Sequence, residues 1–189
     1  MKRSRTLRLV LIGSTPLMLA GCEPSRPGYL YRDPASCIAA AVFDRSICQH
    51  EFELARATHL QSAPRYHWRG DCETDFGAGR CEPAPDNTGP YMPLMAGYLV
   101  GREPPREEQS GSGGGGTSGG GSARRTFASQ PLYRSLDDAQ HFRSADNLRV
   151  GSREGLTHVD ADVTRSPAPG LVSRGGFGKS AARLSSFGS

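Results

Sequence analysis

Cysteines, histidines and close carboxylates are the side chains here with reactive potential, and their spacing decides what they can do. Cysteines stand at Cys22, Cys37, Cys48, Cys72 and Cys81. A thiol can serve as nucleophile, metal ligand or half of a disulfide. The common zinc spacings are missing, because the chain has neither a Cys-x2-Cys nor a His-x3-His pair. His50 and His59 are nine apart, on opposite sides of any helix that carries them, so each reads as a surface or packing residue. Gly178-Lys179-Ser180 ends like a phosphate loop, but Gly175, the nearest leading glycine, is three residues before Gly178 and not five. The run Gly113–Gly116 lacks that ending altogether. Asp71, Glu73 and Asp75 beside Cys72 read as helix-start charges, and Asp137-Asp138 as a turn. A cysteine nucleophile would need a free thiol and an activating histidine. No catalytic residue, no metal ligand and no cofactor are expected.

Cys22 has its own context. It closes LMLAGCE (Leu17–Glu23), behind a head carrying Lys2, Arg3, Arg5 and Arg8 and an apolar body, Leu9 to Leu19. That order describes a secretory leader over residues 1–21. The apolar body is about half of the roughly 20 residues a membrane-spanning helix needs. Leu19-Ala20-Gly21-Cys22 resembles a bacterial lipobox, in which the cysteine sulfur takes a diacylglyceryl group and a peptidase cuts just before it. Lipidation would consume Cys22 and leave four cysteines, an even number that an oxidising periplasm would pair. Glu23, which is not Asp, fits transport to the outer membrane by resemblance to the sorting rule of enteric bacteria.

Removing the leader also changes the charge. The chain has 23 basic and 19 acidic residues, and the leader holds four basic residues and no acid, so what remains is balanced. A nucleic-acid partner, which needs a basic surface, is therefore not expected. The hydrophobic share, 36%, is low for a globular chain.

The elements that must position these residues follow from punctuation and periodicity. Residues 22–30 read as a tether and 31–102 as a cysteine domain with a weak internal repeat. YRDPASC (Tyr31–Cys37) and YHWRGDC (Tyr66–Cys72) are both Tyr-x5-Cys, each followed by a second cysteine, Cys48 or Cys81. Asp33 caps and Pro34 starts a helix predicted to run to about Phe43. A second helix is expected from about Ser46 to before Pro64, with Cys48, Phe52, Ala55 and His59 on one face. A third, short one spans Asp71 to Phe76. Tyr29–Tyr31 and Arg65–Trp68 suggest two short strands paired with each other. The repeat favours pairing Cys37 with Cys48 and Cys72 with Cys81, although four cysteines allow three connectivities. Residues 91–101, YMPLMAGYLVG, form an apolar segment with Gly97-x3-Gly101, the spacing of close helix contacts. Residues 103–129 read as a disordered linker rich in Gly and Ser. A hairpin is expected over 130–151, with Leu132-Tyr133 facing His141-Phe142, followed by a disordered tail, 152–189, with an RGGFG motif. The fold class is thus a small α+β, mostly helical, disulfide-stapled domain with a long linker and tail.

LAGCE, the two Tyr-x5-Cys copies, DFGAGRCEPAP, YMPLMAGYLVGR, SQPLYRS and SRGGFGKS occur in that order. The set resembles the uncharacterised proteobacterial lipoproteins grouped as domain of unknown function 1190 (UPF0441-like). The resemblance implies an envelope lipoprotein with an unassigned biochemical role and supplies no catalytic residues. Similar proteins are often encoded beside ATP-grasp enzymes similar to glutathionylspermidine synthase.

The function expected is that of a lipid-anchored, non-enzymatic binding or scaffold lipoprotein in the cell envelope, on the outer membrane facing the periplasm. Its partners would be membrane lipid through Cys22 and an envelope protein docked on Arg174 and Phe177. The alternative is a protein substrate whose tail, through Lys179 or the Ser189 carboxylate, is modified by an ATP-grasp amide ligase.

Overall fold

The computed structural model describes residues 25–85, 90–104, 124–165 and 176–179. The leader, Cys22, the glycine run of the linker and Arg174 lie outside the described residues. The first element is a strand, β1 (Arg26–Tyr31), where a tether was expected. Two helices follow, α1 (Pro34–Ala39) and α2 (Arg45–Ser62), then α3 (Arg69–Phe76). A hairpin joins β2 (Cys81–Pro83) to β3 (Tyr91–Pro93), and β4 (Gly97–Val100) comes next. Beyond the linker lie β5 (Gln130–Leu132), β6 (Phe142–Arg143), β7 (Arg149–Gly151) and β8 (Gly155–Val159), with short 3-10 turns at Leu136–Asp138 and Ala161–Thr164.

The main sheet is antiparallel throughout, in the order β5-β4-β1-β8. Gly28-Tyr29-Leu30-Tyr31 and Gly97-Tyr98-Leu99-Val100 share a pattern, and they pair Leu30 with Leu99 and Tyr31 with Tyr98. Side chains alternate across a strand. Leu30 and Leu99 therefore join Leu132, Phe142, Val150 and Val159 in one cluster, while Tyr31, Tyr98 and Val100 pack with Cys37, Phe43, Cys48 and Ala55 of the helical layer. A third cluster gathers Tyr66, Cys72, Phe76, Cys81, Met92, Tyr133 and Phe177. Each disulfide closes within its own copy of the repeat, Cys37 to Cys48 and Cys72 to Cys81. The copies differ in their second half, because Cys48 is on a helix and Cys81 on a strand.

The expectation of a mostly helical fold does not hold. The described chain is 34% helical and 28% strand. The reason lies in strands too short for a periodic signal and paired far along the chain. Residues 91–101 form β3 and β4, and the Gly97-x3-Gly101 spacing serves close approach to other elements. A Cβ at Gly97 would stand 2.7 Å from the Tyr31 carbonyl oxygen, and one at Gly101 2.4 Å from Phe127. Part of the expected tail is β8, which pairs with β1 from Arg26–Val159 to Leu30–Gly155. The end of the expected linker is buried at Phe127 and Ser129. β1 pairs with β4 and β8, while Tyr66 exchanges both backbone hydrogen bonds with Tyr91. In the 130–151 hairpin Tyr133 faces Arg143, two residues beyond the expected partner.

Helix starts were more legible. Asp33 caps α1, its Oδ1 accepting the Ser36 N–H at 2.7 Å, and Pro34 is the first helical residue. α1 stops at Ala39 rather than Phe43, ahead of a positive φ at Ala41. The N-cap position of α2 is Asp44, not Ser46. Cys48, Ala55 and His59 are buried on its inner face as the spacing suggests, together with Glu51.

Glu51 is fully buried, and a carboxylate without solvent needs donors. Oε1 accepts from Arg102 Nε at 2.5 Å and Arg125 Nη2 at 2.9 Å, and Oε2 from Ser129 Oγ at 2.6 Å. Burial resists its ionisation, but the bonds from Ser129, Arg125 and Arg102 outweigh this and hold the carboxyl below its ordinary range. Arg102 and Arg125 also pair with each other as an isolated β-bridge, so both feet of the linker stand on α2. His59, also buried, shares a hydrogen bond of 2.9 Å between Nδ1 and the Tyr133 hydroxyl. Burial, then repulsion from Arg65 and Arg56, lowers its pKa to about 4.

Two stability measurements check these assignments. Glu51→Gln should cost about 2–4 kcal/mol in urea unfolding at pH 7, less than a fully buried pair because Arg125 reaches solvent. An unchanged midpoint would remove Glu51 as a structural hub. For His59 the native state binds fewer protons than the unfolded chain, so stability is complete above the unfolded pKa of about 6.5. It should fall by roughly 3 kcal/mol as pH drops through 6.5 to about 4. His59→Gln should flatten that part of the stability–pH curve; an equally steep curve in the variant would assign the titration elsewhere.

Candidate functional site

A cleft of about 490 Å³ opens among four turns of the chain. Arg32 follows β1, and Gly77, Ala78 and Arg80 form the turn from α3 to β2. Leu94, Met95 and Ala96 link β3 to β4, and Arg134, Ser135, Leu136 and Ala139 follow β5. Phe76 completes the wall. Its volume falls in the range of small-molecule sites, roughly 300–1,000 Å³.

Local structure aims each arginine. Leu-Tyr-Arg occurs at Leu30–Arg32 and again at Leu132–Arg134, and both times the leucine and tyrosine are buried and the arginine leaves the strand pairing. Positive φ at Gly77 and Gly79 tightens the turn that presents Arg80. Glu73 steadies this turn by accepting from Arg69 Nε at 2.8 Å and Gly79 N–H at 3.1 Å, and those bonds lower its pKa. The guanidinium carbon of Arg134 lies 3.9 Å over the centre of the Phe142 ring. Stacking of this kind fixes the plane of the fork.

The electrostatics are unbalanced. No Asp or Glu is among the residues lining the cleft. Arg32 is ion-paired with Glu154. Arg80 and Arg134 have no carboxylate partner among the described residues, and the buried Nε of Arg134 has no hydrogen-bond acceptor there. Burial, then repulsion from Arg32, lowers the pKa of Arg134, while Glu154 acts against this. Cationic forks gathered with apolar walls and no acid are suited to holding an anionic group.

Behind the cleft the chain's tail is docked. Phe177, expected as an anchor for another protein, is buried at 3% exposure inside its own fold, with its ring centre 4.8 Å from that of Phe76. Phe76 and Tyr133 of the same chain supply the apolar cover that its ring requires. Arg174 lies outside the described residues. Asn147 grips the next residue, accepting Gly178 N–H on Oδ1 at 2.8 Å and donating from Nδ2 to its carbonyl oxygen at 3.1 Å. Gly178 has φ +83° and leaves no room for a Cβ, which would fall 2.1 Å from Asp137 Oδ1.

Asp138, read as a turn residue, is the buried hub of this corner. Its oxygens meet His141 Nδ1 at 2.7 Å, Arg143 Nη2 at 2.8 Å, Arg149 Nη2 at 3.1 Å and Lys179 Nζ at 3.6 Å. Burial disfavours its charge, but His141 and Arg143 more than offset this and hold its pKa far below the ordinary value. Asp71, Glu73 and Asp75 do not act together either. Asp71 sits in the first turn of α3, Glu73 bonds Arg69 and Gly79, and Asp75 accepts the Tyr66 hydroxyl at 2.9 Å. His50 is exposed, and no group of three or more His, Cys, Asp or Glu side chains that could hold a metal occurs among the described residues. Sequence reasoning missed Arg32, Arg80 and Arg134, and the repeated Leu-Tyr-Arg was the signal available for two of them.

The family model described as "Protein of unknown function (DUF1190)" matches residues 26–188. No solved structure matches the chain.

The docked tail is testable. Gly178→Ala should detach residues 176–179, seen as faster tryptic cleavage after Lys179 and faster backbone amide exchange there, while the sheet stays protected. Unchanged cleavage and exchange would show that the contacts of Gly178 do not hold the tail.

Proposed function

The chain belongs to the DUF1190 family, and from that premise we propose that it is a lipid-anchored binding protein of the cell envelope, without enzymatic activity. The single observation that carries the binding role is the cleft at Arg32, Arg80 and Arg134, which gathers cationic forks and apolar walls with no Asp or Glu among its lining residues. Ser135 is the one hydroxyl lining it, and its Oγ is engaged with Asp137 Oδ1 at 2.6 Å.

The anchor rests on Cys22 in its LAGC setting behind the basic and apolar leader. Because β1 begins at Arg26, an acylated Cys22 would leave at most about 13 Å of chain between lipid and sheet. The domain would then ride on the outer membrane's periplasmic surface rather than swing on a tether. A cysteine carrying two or three acyl chains gives a hold far beyond the marginal one of a single chain.

Metabolic labelling with an alkyne fatty acid, followed by membrane fractionation, tests this. The natural chain should be labelled and sediment with outer membranes. Cys22→Ser should lose the label and keep its leader. Equal labelling of the variant, or an unlabelled soluble natural protein, would remove the anchor.

A further inference from the structure

We propose that the arginine cleft binds a phosphate monoester carried on an apolar stem. The proposal deepens the binding role above and rests on it. Charge selects the class. Three guanidinium groups line the cleft and Glu154 neutralises that of Arg32, which leaves Arg80 and Arg134 unmatched. A phosphate monoester carries about −1.5 to −2 at neutral pH and offers three terminal oxygens, whereas a carboxylate brings one charge and two oxygens.

Geometry agrees. An arginine fork recognises phosphate through paired, parallel N–H donors in a fixed plane. The plane of Arg134 is held against Phe142, and its buried Nε lacks an acceptor among the described residues. Arg80, on its glycine turn, is exposed and lines the same cleft. The remaining walls explain the stem. Leu94 and Leu136 are exposed apolar side chains at 39% and 63%, and Met95, Ala96 and Phe76 continue the surface they begin. A soluble ester and a lipid headgroup share this chemistry, so the test separates them.

The purified mature protein in nonionic detergent would be titrated calorimetrically with inorganic phosphate, butyl phosphate and pentanoate. Parallel titrations would use micelles doped with phosphatidic acid or with phosphatidylcholine. Butyl phosphate should bind at least about tenfold more tightly than pentanoate, the effect of one charge-assisted hydrogen bond. Inorganic phosphate should be weaker than its butyl ester. Tight binding of phosphatidic acid but not phosphatidylcholine identifies a headgroup as the source; binding of butyl phosphate alone identifies a soluble ester. Arg80→Gln, at an exposed turn, and Arg134→Lys, which keeps the charge but loses the fork, should each weaken binding about tenfold while circular dichroism stays unchanged. Equal affinity for pentanoate, or arginine variants that bind like the natural chain, would overturn the ester. Pentanoate binding as tight as that of butyl phosphate, and lost with the same arginines, would remove the ester class alone and leave the binding role in place. No heat with any anion at millimolar concentration would remove both the ester and the cleft as the binding site, while the acyl anchor would still be judged by its own labelling.

Discussion

The fold turns on a carboxylate that has no water. Glu51 projects from the middle of α2 into a layer sealed by the sheet, where its charge is tolerable only with donors close on both oxygens. Those donors come from Arg102, just past β4, and from Arg125 and Ser129, just before β5. The chain must therefore leave β4 and return to β5 at one place, whatever the segment between them does. A buried ion pair of this kind adds modest net stability, because desolvation cancels much of its attraction. What it supplies is a location: β5 beside β4, and both against α2.

A second buried carboxylate organises the opposite corner by the same rule. Asp138 gathers His141, Arg143 and Arg149 from the small hairpin and Lys179 from the tail. Asn147 and the aromatic contacts of Phe177 complete the attachment. Two sets of arginines stand apart among the described residues. Some answer a buried acid and serve the architecture. Arg80 and Arg134 share a cleft with apolar walls and answer no acid among the described residues, and that contrast is what separates a site from scaffolding.

Legibility from sequence followed distance along the chain. The Asp33-Pro34 start, the inner face of α2 at Cys48, Ala55 and His59, and the approximate span of α3 were all readable, since each depends on neighbours within a turn or two. The start of β1, Arg26 to Gly28, was taken for tether and β8 for tail. Their pairing, Arg26 with Val159, closes a separation that no local pattern encodes. Phe177 was expected to anchor another protein, and in the fold it is buried against its own chain. The aromatic says that something apolar must cover it; Phe76 and Tyr133, distant in sequence, supply the cover. Asp138 looked like a turn residue because its partners Arg149 and Lys179 lie beyond any turn.

By itself the sequence determined the local matters: where helices begin, which cysteines lie close enough to close short loops, and the leader-like start ending at Cys22. These need only the nearest few residues, so their free energies are written in spacing and side-chain type. Tertiary structure alone decided that the fold is a sheet with helices on it, that linker and tail ends belong to the core, and that arginines from three separated turns share one cleft. Such contacts form only after long stretches of chain have been brought together, when burial and charge pairing over the whole assembly outweigh the entropy lost in closing them.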